Sequence, residues 1–251
     1  ALAWQVDLGV DEVIGDHAID RYELPETTKP APVSPRAAAP APVFVEAPKI
    51  DPVEVARSIA ARATSLDALR DGLASFDLCD LKKGARNAVF ADGNPAARVL
   101  ILGEAPGLEE DREGRPFVGR AGQLLDRMFA AIGLSRTSPD PEASLYITNV
   151  MPWRPPGNRD PEPAEIAMMR PFVERHIALM DPDVIVVMGN TPLFALTGQK
   201  GILRARGTWS KALERPLLPM THPAYLLRNP IAKREAWADL LSLQAHLRAK
   251  S

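Results

Sequence analysis

Three polar segments of the chain carry residue types that could do chemistry on a ligand. The first, residues 103–119, places Glu104 and several further carboxylates beside a glycine-rich turn. It has no Gly-Lys-Ser/Thr sequence, and its glycine spacing does not match a dinucleotide-binding loop, so a nucleoside triphosphatase is disfavoured. Carboxylates at such a turn favour a site that handles positive charge or positions a water molecule.

The other two segments add groups that suit the recognition of bases and phosphates. Asn149 ends an apolar run, and its amide can offer both a donor and an acceptor to a base edge. Arg154 and Arg159 follow on a proline-containing loop and suit phosphate contacts. Of the four histidines, only His222 comes directly after an apolar run and before a loop. Taken singly, Asn149 could be a turn residue and His222 a structural one, but together the three segments favour a functional site.

Apolar runs without polar alternation lead into these segments, as expected for strands buried on both faces. They predict strands over 99–102, 145–150, 184–188 and 217–220. Helical spacing of apolar residues begins at Val53 and predicts further helices over 122–132, 161–180, 191–196 and 233–249. Strands alternating with helices predict an α/β fold, a three-layer α/β/α arrangement with a central four-stranded parallel sheet. Ligands bind at the carboxyl ends of such strands, so we expect the three segments to converge on one cleft.

The prolines divide the chain into two regions. Seven of the 25 lie within residues 24–50, a stretch rich in alanine that favours extended polyproline II structure. Residues 1–50 carry eight acids and four bases, a net charge of −4, whereas residues 51–251 carry 26 bases and 24 acids, a net of +2. We therefore expect an acidic, disordered tail and linker over 1–50 and a folded domain over 51–251. The tail is either a segment that binds a protein partner or a dispensable linker.

Composition excludes several other classes of protein. The formal net charge of −2 excludes a globally basic nucleic-acid coat. A single cysteine, Cys79, cannot form an intramolecular disulfide or hold a metal centre alone. No apolar run approaches the roughly 20 residues of a membrane-spanning helix, and the acidic start lacks the basic region of a secretory signal. We expect a monomeric cytoplasmic protein that does not associate with membranes.

The three segments together resemble the family-four uracil-DNA glycosylases, bacterial and archaeal base-excision repair enzymes. The resemblance rests on GEAPG, GRPFVG, YITNV, RPPGNR and THPAYLLR, which occur in the family's order and spacing over roughly residues 70–248. It implies an enzyme that flips uracil out of DNA and hydrolyses the N-glycosidic bond, releasing free uracil and leaving an abasic site.

The resemblance also implies a role for individual residues. Phe117 would stack on uracil, Asn149 would read its N3–H and O4, and His222 would bind O2, where negative charge develops. Glu104 would either stabilise the cationic sugar or orient the attacking water. The remaining substrate contacts fall at Ala105, Gly107 and Glu110, the last of which would exclude the methyl group of thymine. The residues expected to touch DNA are Arg154, Arg159, Leu226, Leu227 and Arg228, with the two leucines as an apolar wedge.

One feature of the family is missing from this sequence. The family usually binds a [4Fe–4S] cluster through four cysteines, and the corresponding positions here are Phe76, Cys79, Trp153 and Met169. One thiolate and a weak thioether cannot hold such a cluster. We therefore expect no cofactor, with hydrophobic packing of the substituted side chains in place of the metal.

Two other functions remain open from the sequence. One is a protein that binds uracil or abasic sites in DNA without turnover. Some relatives carry a basic, histidine-bearing insertion and bond covalently to DNA, but only ten positions separate Gly107 from Phe117, which leaves no room for such an insertion. The other is a phosphate or nucleotide enzyme that uses the sheet generically, which the missing phosphate-binding lysine disfavours.

Overall fold

Helices cover both faces of the sheet, so its central strands are buried and mostly apolar. The computed structural model describes residues 50–249. Its strands are β1 (Ala91–Gly93), β2 (Val99–Gly103), β3 (Leu145–Asn149), β4 (Val184–Met188), β5 (Ser210–Ala212) and β6 (Arg215–Met220). Every residue of β2, β3 and β4 is buried, which explains why their sequences do not alternate between apolar and polar.

The strands form one sheet in the order β1-β3-β2-β4-β6-β5. The inner four are parallel, with Leu102 of β2 opposite both Thr148 of β3 and Val187 of β4. The predicted four-stranded parallel sheet is therefore confirmed as the centre of a larger mixed sheet. The edge strands β1 and β5 pair antiparallel with their neighbours and were not predicted. Their sequences, Ala-Asp-Gly and Ser-Lys-Ala, are too short and too polar to stand out from loops.

The predicted helices are all present, with ends within two residues of the expected ones. The α-helices are α1 (Pro52–Arg62), α2 (Leu66–Ala74), α3 (Leu81–Gly84), α4 (Leu108–Glu113), α5 (Arg120–Ala130), α6 (Pro163–Met180), α7 (Asn190–Thr197), α8 (Ile202–Ala205), α9 (Pro223–Arg228) and α10 (Lys233–Arg248). Single-turn 3-10 helices span Pro141–Ala143, Pro156–Asn158 and Pro230–Ala232. The short helices α4 and α9 lie within segments that the sequence had indicated only as loops, because six residues give too little periodicity to read.

Alternate residues of each central strand point to opposite faces of the sheet, where two hydrophobic cores lie. Leu100 and Leu102 of β2 belong to one core, to which α1, α2, α6 and α7 contribute. Val99 and Ile101 belong to the other, which α5 and α10 complete. The sheet is thus the middle of three layers, as predicted, and it holds the four parallel strand ends in fixed register.

Several predictions from the sequence concern features that the described residues do not test. The proposed tail lies outside the described residues except for Ile50, so its disorder and its partner stay predictions. The monomeric state and the cytoplasmic location also stay predictions. No helix within residues 50–249 is long and apolar enough to cross a lipid bilayer.

Candidate active site

The carboxyl ends of all four parallel strands open into one cleft of about 960 Å³. At the end of each strand a polar side chain lines the wall of the cleft. Glu104 follows β2, Asn149 ends β3, Thr191 comes shortly after β4 and His222 follows β6. The structure therefore brings together residues of all three polar segments, which are up to about 120 positions apart in the chain.

Backbone hydrogen bonds hold the turn after β2 against the segment after β3. The Val150 N–H donates to the Gly103 carbonyl at 3.0 Å, and the Met151 N–H donates to the Glu104 carbonyl at 2.9 Å. Both hydrogen bonds lie just past the last paired residues of β2 and β3, Gly103 and Asn149. The Glu104 side chain is partly buried at the cleft wall, and its Oε2 accepts a hydrogen bond of 2.5 Å from the Thr191 hydroxyl. Burial raises the pKa of the Glu104 carboxyl, and the hydrogen bond from Thr191 opposes this shift.

The buried Glu110 carboxylate joins two loops of the cleft. One oxygen accepts from the Gly107 N–H at 3.0 Å, and the other accepts from the Val118 and Gly119 N–H groups at 3.0 and 2.9 Å. Backbone N–H groups are strong partners for a carboxylate, and three of them compensate for its removal from water. Glu110 therefore fixes the turn after β2 relative to the segment that carries Phe117.

The backbone of Phe117 has a φ of 53°, which lies in the left-handed region that residues other than glycine rarely adopt. Such a conformation costs about 1–3 kcal/mol and persists only where the surroundings impose it. Arg136 does so by donating to the Pro116 carbonyl at 2.8 Å and to the Phe117 carbonyl at 2.9 Å. Arg136 is in turn held by Asp92 and Asp126 at 3.1 and 2.8 Å. The Phe117 ring is thereby fixed against the cleft wall.

The absence of a side chain at Gly103 lets the Asn149 amide and the Phe117 ring meet. A Cβ atom at Gly103 would lie 2.3 Å from Asn149 Oδ1 and 2.5 Å from Cε2 of the Phe117 ring. Asn149 is 7% exposed, and its Oδ1 has no hydrogen-bond partner among residues 50–249. Buried polar atoms are normally paired, so this acceptor on the cleft wall is available to a donor from a ligand or a water molecule.

The His222 imidazole lies beside Phe117, with ring centroids 5.5 Å apart and planes inclined by 31°. Its Nδ1 accepts from the Ala224 N–H at 3.2 Å and so caps α9. Because Nδ1 is an acceptor, the proton of the neutral ring is assigned to Nε2. Burial lowers the pKa of His222 to about 4; the Arg228 charge adds to this effect and that of Glu110 opposes it. The ring is therefore neutral at neutral pH and can donate from Nε2.

The structure separates the two leucines that were predicted as a wedge. Leu227 and Arg228 line the cleft, and Arg228 is exposed. Leu226 is only 1% exposed and packs in a core cluster with Leu124 and Ala236. Because α9 turns successive side chains to different faces, Leu226 anchors the helix to α5 and α10, whereas Leu227 faces the cleft. Burial makes Leu226 the weaker candidate for the wedge, and its contact with DNA stays a prediction.

The predicted phosphate-binding arginines of the second segment are also engaged within the protein. Arg159 lines the cleft, but its NH1 and NH2 groups donate to both oxygens of Glu165 at 2.9 and 2.6 Å. Arg154 does not line the cleft, and its Nε donates to Asn158 at 2.7 Å. Contact of either arginine with phosphate stays a prediction. Ala105 and Gly107 both line the cleft, as expected.

The structure adds three residues that the sequence did not single out. They are Arg136, which holds Phe117; Thr191, which donates to Glu104; and Thr221, whose buried hydroxyl has no partner among the described residues. Thr221 could have been noticed as the residue before His222. Arg136 could not, because nothing in its local sequence distinguishes it from a surface arginine.

The four positions that correspond to cluster ligands in the resembled family lie together in the core. Phe76, Cys79, Trp153 and Met169 are each at most 2% exposed and belong to the same hydrophobic cluster, in which Phe76 also packs edge-on against Phe172 at 5.6 Å. Burial raises the pKa of the Cys79 thiol, which opposes the thiolate that iron would need. Within residues 50–249 no group of three or more His, Cys, Asp or Glu side chains could hold a metal ion. These side chains do not fit an iron–sulfur cluster.

Comparison with known proteins points to one family. The model of the uracil DNA glycosylase superfamily matches residues 90–241, more than half of the chain. A type-4 uracil-DNA glycosylase of Sulfurisphaera tokodaii is 40% identical over 176 residues, 66% of this chain and 77% of the relative. That of Thermotoga maritima is 42% identical over 156 residues, 60% and 77% of the two chains. That of Saccharolobus solfataricus is 37% identical over 196 residues, 74% and 88% of the two chains.

The close approach of α5 to the backbone of Phe117 predicts that replacing Gly122 with alanine destabilises the protein. A Cβ atom at Gly122 would lie 1.7 Å from the Phe117 carbonyl oxygen, so the backbone of Phe117 or the start of α5 must move. We expect Gly122→Ala to lower the free energy of unfolding by about 1–3 kcal/mol, as measured by urea denaturation. Gly84→Ala is the matched control because a Cβ there meets nothing within 4 Å. Equal stability of the two variants would show that the packing at Phe117 is not tight.

Proposed function

Because the chain belongs to the uracil-DNA glycosylase superfamily, we propose that its cleft receives a uracil nucleotide flipped out of DNA. The enzyme hydrolyses the bond between uracil and deoxyribose, releases free uracil and leaves an abasic site for repair. The observation that supports this most strongly is the orphan Oδ1 of Asn149, which lies beside the Phe117 ring on the wall of the cleft. An amide next to an aromatic ring suits a flat base with polar edges.

We propose that Asn149 and Phe117 select uracil among the pyrimidines. The base would lie against the Phe117 ring, with its N3–H donating to Asn149 Oδ1 and its O4 accepting from Nδ2. Cytosine has an acceptor at N3 and an amino group at C4, so it would face both amide groups with the wrong polarity. An unpaired polar group in a buried site costs roughly 1–3 kcal/mol, and two such mismatches exclude cytosine.

Hydrolysis places negative charge on the departing base, and His222 is positioned to stabilise it. Its Nδ1 is occupied by the Ala224 N–H, so the proton on Nε2 is free to be donated to uracil O2. A neutral ring suffices, because a fixed donor aimed at the developing anion needs no reorganisation during the reaction. Its low pKa, about 4, keeps the ring in this form across the neutral range.

The sugar becomes cationic as the base leaves, and we propose that the Glu104 carboxylate stabilises it or orients the attacking water. Glu104 lies on the same cleft wall and is partly buried, which strengthens its interaction with a positive charge. The charged form of the carboxyl is the useful one in either role.

The remaining contacts follow from the cleft lining. Glu110 would crowd C5 of the pyrimidine and so exclude the thymine methyl group, with its carboxylate held in place by its three backbone donors. Ala105 and Gly107 would complete the pocket. Leu227 would fill the space that the base leaves in DNA, and the exposed Arg228 beside it would bind phosphate.

We propose that the protein folds and acts without an iron–sulfur cluster. The Phe76, Trp153 and Met169 side chains fill the region that the resembled family uses for metal, and only Cys79 offers a thiol. We expect anaerobically purified protein to lack a brown colour and to contain far less than one iron and one sulfide per chain. It should also keep its activity in chelator. Stoichiometric iron and sulfide, or activity that is lost with iron, would contradict this proposal.

The role of His222 predicts a large loss of rate on substitution. Removing one preorganised donor to a developing anion costs on the order of 10²–10³ in rate, so we expect that loss for His222→Ala in single-turnover uracil release. DNA binding should change by no more than several-fold. His222→Asn keeps a capping oxygen for α9 but lacks the Nε2–H, and it should lose activity as well. Full activity in the asparagine variant would mean that His222 acts only as a helix cap.

The role of Asn149 predicts a change in base specificity. A carboxylate in Asn149→Asp accepts from N3–H but repels O4, so we expect uracil release to fall by about tenfold or more. Release of cytosine could rise only slightly, because cytosine is a poorer leaving group and the carboxylate opposes a departing anion. Asn190→Asp is the control, since Asn190 lines the cleft but its oxygen accepts from the Gly201 and Ile202 N–H groups. Equal uracil rates for Asn149→Asp and wild type would show that Asn149 does not read the base.

A further inference from the structure

The Thr191 hydroxyl donates to Glu104 Oε2 at 2.5 Å and links the ends of β4 and β2 across the cleft wall. Within residues 50–249 it is the only hydrogen-bond donor to that carboxylate. We propose that Thr191 is a positioning residue, which holds the Glu104 carboxylate as an anion in the orientation that the reaction needs. This inference rests on the proposed function, because it assigns a second residue to the step that involves the sugar and water.

The backbone around Thr191 fixes the direction of its hydroxyl. Gly189 connects β4 to α7 with φ of 107°, a conformation that favours glycine, and its N–H donates to the Met220 carbonyl at 3.2 Å. The Asn190 side chain accepts from two N–H groups at the start of α8, at 3.1 and 2.9 Å. Thr191 is 7% exposed, and its branched Cβ restricts rotation of the side chain. The hydroxyl therefore has little freedom to turn away from Glu104.

The position of Thr191 in α7 also favours a negative charge on Glu104. Thr191 is the second residue of an eight-residue helix, so the carboxylate that it binds lies near the helix N-terminus. Unpaired N–H groups and the aligned peptide dipoles give that end a partial positive charge. The hydrogen bond and the helix end act on the carboxylate in the same direction.

Burial and a neighbouring negative charge instead favour the protonated form of Glu104. Burial is the main cause that raises the pKa of Glu104, and the negative charge of Asp160 adds to it. The other charged groups of the cleft lining are Glu109, Glu110, Arg120, Arg159 and Arg228, and its further titratable groups are His222 and Tyr225. Of the arginines, Arg159 is already paired with Glu165, and the hydrogen bond from Thr191 is what lowers the pKa of Glu104. Thr191 is thus the main group that favours the ionised carboxyl.

Loss of the Thr191 hydroxyl should change how the reaction rate depends on pH. A donor to a carboxylate stabilises the charged form and lowers the pKa, so removing the donor raises the pKa further. A larger fraction of Glu104 is then protonated at a given acidic pH. The acid limb of the rate profile should therefore move to higher pH in Thr191→Val, which keeps the branched shape but lacks the hydroxyl. His222, with its pKa of about 4, is already neutral over the range in which the limb is compared.

The test compares single-turnover uracil release from a uracil oligonucleotide by four proteins from about pH 5 to about pH 9. They are the wild type, Thr191→Val, Thr191→Ser and Thr197→Val. Thr197 is a matched control in the same helix, because its hydroxyl donates to the Leu193 carbonyl and it does not line the cleft. Hydrogen bonds to charged groups predict a loss of about 10- to 100-fold in rate constant for Thr191→Val near neutral pH, with little change in DNA affinity. The loss should grow several-fold toward acidic pH.

Thr191→Ser, Thr197→Val and the melting temperature of each protein distinguish a positioning role of Thr191 from a structural one. Thr191→Ser keeps the hydroxyl and should recover most of the rate and the position of the acid limb, and Thr197→Val should match the wild type in both. A Thr191→Val profile that is lowered equally at all pH values, together with a lowered melting temperature, would overturn the proposal. An unchanged Thr191→Val profile would overturn it as well. A wild type that binds the oligonucleotide but releases no uracil would instead contradict the proposed function itself.

Discussion

The rest of the site depends on the Glu110 carboxylate and its three backbone donors. A buried carboxylate is costly unless its oxygens are satisfied, and here Gly107, Val118 and Gly119 satisfy them. Because these donors belong to two different loops, the same contacts close the cleft wall and place Phe117. The strained backbone of Phe117 persists because the Glu110 contacts and the hydrogen bonds from Arg136 together hold the loop that contains it.

The polar groups that we propose to meet the base are neutral and held in place by the protein. The Asn149 amide is buried beside an aromatic ring, and His222 is held as a neutral donor by a helix cap and a low-dielectric environment. Fixed dipoles of this kind distinguish one base edge from another and stabilise charge only as it develops. In the proposed complex the Glu104 carboxyl group would face the sugar, and the exposed Arg228 would face a phosphate. Side chains such as Trp153 and Met169 are buried in the hydrophobic core on one face of the sheet.

The sequence predicted the features that repeat or follow directly from chain order. Buried strands such as β4 appear as continuous apolar runs, and the rule that ligands bind at parallel strand ends then located Asn149 and His222 at one cleft. Features that depend on side-chain packing could not be predicted from the sequence. Leu226 and Leu227 are neighbours of the same type. Only the orientation of α9 shows that Leu226 lies in the core and that Leu227 lines the cleft. Contacts such as that of Arg136 with Phe117, 19 residues away, have no local pattern at all.

The most direct test of the account is chemical identification of the product from a single base in DNA. The enzyme, prepared with iron content measured, is incubated in chelator with matched oligonucleotides that contain one uracil, thymine or cytosine. The small-molecule products are separated by chromatography and identified by mass spectrometry. We expect free uracil from the first strand, an abasic site in the otherwise intact strand, and no free base from the other two. Tight binding of the uracil strand with no free uracil, or release of thymine at a similar rate, would contradict it.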